Sequence, residues 1–252
     1  MVNNRKSSWL RKWLIGLAVL TVIAAGAFFW YVNDYYQATT DAVEALQSDE
    51  SVTITETDDA ITFAPNGEDP EEGVIFYPGG KVEAEAYAPL LRRLAEADLL
   101  VVIVKMPFHL AVFDADAAEA IMAQENGVED WYLAGHSLGG VMASSFAADQ
   151  SDEVAGLIFL ASYPSGDLID VPFPVLSIYG SEDEVLNRES YDEAQGKLPD
   201  DYTEIVLAGG NHGQFGDYGS QSGDGTATIS TVQQQKQTVE AITAFIENSH
   251  QQ

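Results

Sequence analysis

The chain has 252 residues, no cysteine and a formal charge of −29, which excludes disulfides, thiolate metal sites and a cysteine nucleophile. Four of its 11 basic residues (Arg5, Lys6, Arg11, Lys12) precede the first acidic one, Asp34, so 40 acidic residues face only 7 basic ones beyond position 33. Such a surface has no basic stripe for phosphate and excludes nucleic acid as an expected partner; the acidic excess suits a salty medium, where screening relieves self-repulsion.

Residues 1–13 read as a basic cytoplasmic stub. Positions 14–32, "LIGLAVLTVIAAGAFFWYV", are 19 residues without a charge, about 28 Å as a helix at roughly 1.5 Å per residue. Trp9, Trp13, Trp30 and Tyr31 mark its ends, where amphipathic rings favour a membrane interface. The expected reading is a transmembrane anchor, with the following domain on the extracytoplasmic side because the cations precede the segment. The competing reading is a signal peptide cleaved near Ala25-Gly26-Ala27, which releases the domain; "FFWYV" carries the apolar run past that site and favours the anchor. Residues 33–50 read as a linker with a weak helix over 34–48, and 51–252 as the domain.

"SVTITETDDAITFAPNG" alternates apolar and polar residues about Asp58-Asp59 and predicts a short hairpin. "GVIFYPGG" is a strand apolar on both faces. A helix is expected over 84–97, with Tyr87, Leu90, Leu91 and Leu94 on one face. The strand "LLVVIVKMP", a short helix over 114–124 and the strand "DWYLAG" follow. After a helix to about Asp149 come the strands "VAGLIFLAS" and "FPVLSIYG", a helix at "YDEAQGKL", the strand "YTEIVLAGG" and a last helix over 231–248. Apolar strands alternating with helices predict an α/β fold, a mostly parallel sheet covered on both faces. Chemistry in such sheets lies beyond the carboxyl ends of the strands.

Gly135-His136-Ser137-Leu138-Gly139 sits at one such end, between a predicted strand and a predicted helix. Gly-x-Ser-x-Gly there is the pattern of a nucleophile elbow, in which flanking glycines let neighbouring backbone approach a strained serine. A plain serine helix cap needs neither glycine. A serine hydroxyl requires a base, and the base requires orienting. Of four histidines, His250 is in the tail, His136 adjoins the serine, His109 follows a strand end and His212 follows the last strand in "LAGGNHGQFG"; His212 is the candidate base. Asp183 in "YGSEDEV" follows a buried strand in the expected order serine, acid, histidine, with Glu182 and Glu184 as neighbouring rivals. The oxyanion donors are expected at Leu138 N–H and in the loop "YPGGK", at Gly80 or one step on at Lys81.

From about Gly73 to Ile246 the sequence resembles the α/β-hydrolase superfamily, specifically its small, lid-free, membrane-anchored bacterial members. "GHSLGG", "YGSEDEV" and "GGNHGQFGDYGSQSGDG" carry the likeness. One departure is Pro78-Gly79 where the family has His-Gly. The resemblance implies acyl hydrolysis through a serine ester intermediate and does not identify a substrate; no cofactor is expected, and the expected partner is a small-molecule acyl substrate.

Only about 11 residues (162–172) separate the sixth and seventh strands, leaving no room for a cap. A shallow pocket walled by Phe108, His109, Tyr163 and Phe215 is therefore expected, and with it a carboxylesterase-like activity on small or exposed esters. Thioesterase, peptidase or perhydrolase chemistry on the same scaffold, and a tethered binding module, are the alternatives. No metal site is expected; Asp217 and Asp224 read as solvated loop carboxylates rather than calcium ligands.

Overall fold

The computed structural model describes residues 4–67, 69–125 and 127–249; His250 and residues 1–3 of the basic stub lie outside them. Two compact units result, Met1–Tyr35 and Tyr36–Gln252.

The first unit is one helix, α1 (Asn4–Asn33). Its stretch Trp9–Asn33, 25 residues, is long and apolar enough to cross a membrane. Leu20, Val22 and Ile23 are all exposed, so water is a poor solvent for this helix all round. Two polar side chains in its apolar stretch turn back on the backbone: Thr21 Oγ1 donates to the Leu17 carbonyl at 3.0 Å and Asn33 Nδ2 to that of Phe29 at 2.7 Å. That suits an apolar surrounding.

The second unit is built on eight strands: β1 (Val52–Glu56), β2 (Ala60–Pro65), β3 (Glu72–Tyr77), β4 (Leu100–Val104), β5 (Asp130–His136), β6 (Gly156–Leu160), β7 (Val175–Gly180) and β8 (Tyr202–Leu207). Their order is β1-β2-β4-β3-β5-β6-β7-β8. The β1–β2 and β2–β4 pairs are antiparallel and all the others parallel, the mostly parallel sheet expected of the α/β pattern. The expected hairpin is β1–β2, and it adds the two antiparallel strands to one edge.

Successive side chains alternate between two cores because strand residues point to opposite faces. On one face Val74 and Phe76 of β3 and Tyr132 and Ala134 of β5 pack with Tyr87, Leu90, Leu91 and Leu94. These come from a 3-10 turn, Ala84–Tyr87, running into α3 (Ala88–Ala95), which tolerates Pro89 in its first turn. On the other face Ile75, Tyr77, Trp131 and Leu133 pack under Ala143, Phe146 and Ala147 and with Ala118 of α4 (Ala117–Gln124), while Tyr191 of α6 (Arg188–Ala194) packs with Tyr179 and Leu186. Both faces being buried, the central strands need the unbroken apolar runs seen in the sequence.

The stretch expected as a linker is packed from Tyr36 onward. Tyr36 bridges Val82 in parallel, donating its N–H to the Lys81 carbonyl at 2.7 Å while its own carbonyl accepts from Glu83 at 3.0 Å. Its ring lies 5.3 Å from that of Tyr218. Because residues 36–38 are thus extended, helix formation waits for the cap at Thr39, and only Thr40–Glu44 is α-helical (α2).

Candidate active site

β5 ends at His136 and α5 (Leu138–Asp149) begins at Leu138, with Ser137 alone between them. Ser137 makes the turn at φ 50°, ψ −123°, a conformation costing on the order of 1–3 kcal/mol for a residue with a Cβ. The surroundings hold it there. Ser137 N–H donates to the Leu160 carbonyl at 3.0 Å, and its carbonyl accepts from Ser162 Oγ at 2.7 Å and Gly140 N–H at 3.1 Å. A Cβ on Gly135 would lie 2.6 Å from the carbonyl carbon of Gly139, and one on Gly139 would lie 2.6 Å from that of Tyr77. Both flanking glycines are therefore required by backbone approach.

At the end of β7, Asp183 is folded into its own turn. Its Oδ1 accepts from the N–H groups of Val185 at 2.9 Å and Leu186 at 2.8 Å. Its Oδ2 lies 2.9 Å from His212 Nδ1, with both side chains nearly solvent-free. A carboxylate only accepts, so Nδ1 carries the proton and Nε2 of a neutral imidazole is the basic nitrogen. Glu182 instead takes the hydroxyl of Ser181 at the surface.

His212 follows β8 on a loop clamped from two sides. Gln234 of α7 (Thr231–Ser249), fully buried, accepts from Asn211 N–H at 2.9 Å and donates to its carbonyl at 2.8 Å. The carboxylate of Asp224 accepts from the N–H groups of His212 at 3.2 Å and Gly213 at 2.8 Å. The second half of "GGNHGQFGDYGSQSGDG" is thus the cradle of its first half. Asp224 is more than a solvated loop carboxylate: chain reversal brings it, half-buried, back onto the histidine loop. No metal-holding group of three or more His, Asp or Glu occurs among the described residues.

In the loop after β3, Gly79 N–H donates to the Tyr87 hydroxyl at 3.0 Å and Lys81 N–H to the His109 carbonyl at 2.7 Å. Between them, Gly80 N–H has no acceptor among the described residues, nor has Leu138 N–H at the start of α5. The two are neighbours, since a Cβ on Gly80 would lie 2.9 Å from Leu138 Cδ2.

Ser137 and His212 line one open cleft of about 240 Å³, together with Leu138, Val141, Tyr163 and Leu186. Of the expected walls only Tyr163 is among the lining residues. Phe215 is fully buried, because the 3-10 turn Gly213–Phe215 directs its ring inward, 5.7 Å from that of His136. Phe108 and His109 both have left-handed backbone, φ 57° and 56°, and flank the Gly80 loop through the bond to Lys81 rather than lining the cleft.

Two residues beside the cleft escaped the sequence reading. His136 is buried beneath His212, the ring centroids 4.6 Å apart. Tyr87, assigned to an apolar helix face, places its hydroxyl 2.8 Å from His136 Nδ1. Strand parity was the available signal: His136 shares a face with Tyr132 and Ala134, the face that the Tyr87 helix covers.

The sequence profile of the Alpha/beta hydrolase family matches residues 73–236. No curated protein matches the chain. Among solved structures, Est1E from Butyrivibrio proteoclasticus with ferulic acid bound is 16% identical, covers 82% of this chain and 99% of its own, and superposes with a TM-score of 0.58. A predicted CIB-like hydrolase from Thermoplasma acidophilum is 15% identical over 78% of this chain and 99% of its own, TM-score 0.58. The mouse alpha/beta hydrolase domain-containing protein 10 is 14% identical over 79% and 99%, TM-score 0.55. At these identities the likeness is one of fold.

Proposed function

Because the chain belongs to the alpha/beta hydrolase family, we propose that it is a serine hydrolase of carboxylesterase type, cleaving small or exposed acyl esters through an acyl-enzyme on Ser137. The observation that carries this reading is the Asp183–His212 bond at 2.9 Å on a histidine that shares its cleft with the strained serine. Ser137 Oγ attacks the ester carbonyl while His212 Nε2 takes its proton. The carbonyl oxygen, now negative, is received by the N–H groups of Gly80 and Leu138 at the helix amino terminus. His212 returns the proton to the departing alcohol, leaving the acyl group on Ser137. A water then repeats the attack, with His212 again as base and Ser137 as leaving group. Asp183 keeps Nδ1 protonated and stabilises the imidazolium without taking the proton. No step calls for a cofactor.

The short connection after β6 and the modest cleft support small or protruding acyl groups as substrates. The apolar helix α1 fits a membrane anchor, with the catalytic unit on the extracytoplasmic side; release after signal cleavage is the other arrangement.

The test is covalent. A fluorophosphonate should label the full chain and leave Ser137→Ala unlabelled; equal labelling of both removes Ser137 from the mechanism. His212→Ala should lose fluorophosphonate labelling nearly as fully as Ser137→Ala, and labelling at the wild-type rate counts against His212.

A further inference from the structure

The hydrogen bonds of the two buried groups beside the cleft run in one direction. Gly79 N–H donates to Tyr87 Oη at 3.0 Å; Tyr87 Oη lies 2.8 Å from His136 Nδ1; His136 Nε2 lies 3.1 Å from the carbonyl oxygen of His212. The last contact fixes the rest. A carbonyl oxygen only accepts, so Nε2 carries a hydrogen; in the neutral ring Nδ1 is then bare, and the phenol donates to it. The chain of donors begins in the loop that holds Gly80 and ends on the backbone of His212.

We propose that Tyr87 and His136 are positioning residues: a neutral, single-tautomer strut that sets the spacing between the oxyanion loop and the base-bearing loop. This rests on the serine-hydrolase reading above. His136 is no second base, since both its nitrogens are engaged and the ring is sealed from solvent at 1% exposure. Two titratable groups face it, Tyr87 from the 3-10 turn and His212 from the loop after β8, with Asp183 one bond further on. Burial, and then the neighbouring His212, push the His136 pKa well below the ordinary range; burial pushes the Tyr87 phenol up. Both groups therefore keep the protonation the strut requires. The fit is tight: a Cβ on Gly79 would meet His136 Nδ1 at 2.7 Å and Tyr87 Oη at 2.8 Å. Gly79 is thus the residue that lets this pair reach the loop.

Two measurements on the full chain in detergent micelles decide it. Histidine-selective 15N spectroscopy, simplified by only four histidines, should find His136 neutral and protonated at Nε2 from pH 5 to 8. A cationic or Nδ1-protonated His136 overturns the strut, whether or not the protein is active. Secondly, Tyr87→Phe and His136→Leu should each slow fluorophosphonate labelling about 10- to 100-fold, with the half-saturating probe concentration within about twofold of wild type. The double variant should be no slower than the slower single, because one unit has been broken once; His136→Gln, which keeps a donor toward His212, should recover part of the rate. Multiplying losses, or unchanged labelling in folded Tyr87→Phe, overturn the coupling. Absence of labelling in wild type with the expected His136 signature sinks the hydrolase reading and leaves the strut standing.

Discussion

Replacing Asp224 by alanine tests whether the His212 loop is built from a distance. The carboxylate accepts two hydrogen bonds from the other arm of the loop, from His212 at 3.2 Å and Gly213 at 2.8 Å, both partly buried. Bonds to charged acceptors are worth about 1.5–3 kcal/mol each, and partial solvent access places these near the lower figure. Alanine should therefore destabilise the unit by about 3 kcal/mol, and a domain of this size loses roughly 2–4 °C per kcal/mol. Tm should fall by about 6–12 °C on those figures. Asparagine keeps one carbonyl acceptor and should lose about half as much. Circular dichroism melts of the full chain give the magnitude; hydrogen exchange at His212 and Gly213 gives the location, with protection lost there first. Fluorophosphonate labelling should slow in parallel, because the base is no longer held. An alanine variant that melts within about 2 °C of wild type and keeps protection at both amides refutes the cradle. If Asp224 instead held an ion, a chelator would reproduce the alanine phenotype; EDTA is expected to leave the melt unchanged.

Three further outcomes are expected. Asp183→Asn can still accept from Val185 and Leu186, but its amide now donates to Nδ1 and drives the His212 proton to Nε2; turnover should drop about 10³- to 10⁴-fold with little change in stability, and near-normal turnover refutes the role given to Asp183. His136, whose folded pKa is depressed, stays neutral while the unfolded chain binds a proton below about pH 6.5. Stability should therefore fall with acidification from that point, by about 1.4 kcal/mol at pH 5.5 from this group alone, and His136→Gln should flatten that part of a urea-midpoint profile; an unaltered profile contradicts the buried neutral state. Ser162→Ala removes the hydroxyl that holds the Ser137 carbonyl at 2.7 Å and should cost about 1–2 kcal/mol and slow labelling; an effect on neither shows that the elbow keeps its strain without that bond.

The fold was legible because its strands are buried on both faces: runs such as "GVIFY" and "LVVIV" leave no solvent face to confuse with a helix. Placement of Ser137, Asp183 and His212 at the ends of β5, β7 and the segment after β8 followed from the same alternation. What resisted reading depends on contacts far apart in sequence. Tyr87 meets His136 across 49 residues, and Asp224 returns to His212 across 12; neither has a local pattern. Phe215 was misread as a wall because inward or outward direction at a glycine-flanked turn is decided by packing, here against His136. The choice between Gly80 and Lys81 has no local signal either, since the Lys81 N–H meets the distant His109 carbonyl. The stretch after position 35 looked like a linker because its order comes from pairing with Val82, which composition does not encode.

That pairing joins two things usually considered apart. Tyr36 is the first residue of the hydrolase unit and follows the apolar segment almost directly, yet its amide is stitched to the carbonyl of Lys81, beside Gly80. Were the apolar helix held in a membrane, tension on it would load the Tyr36–Lys81 stitch, next to the donor proposed to receive the oxyanion. Trimming the chain past Tyr36 to obtain a soluble fragment would remove that stitch, so a fragment cut at Thr40 and one cut at Asp34 should be treated as different enzymes.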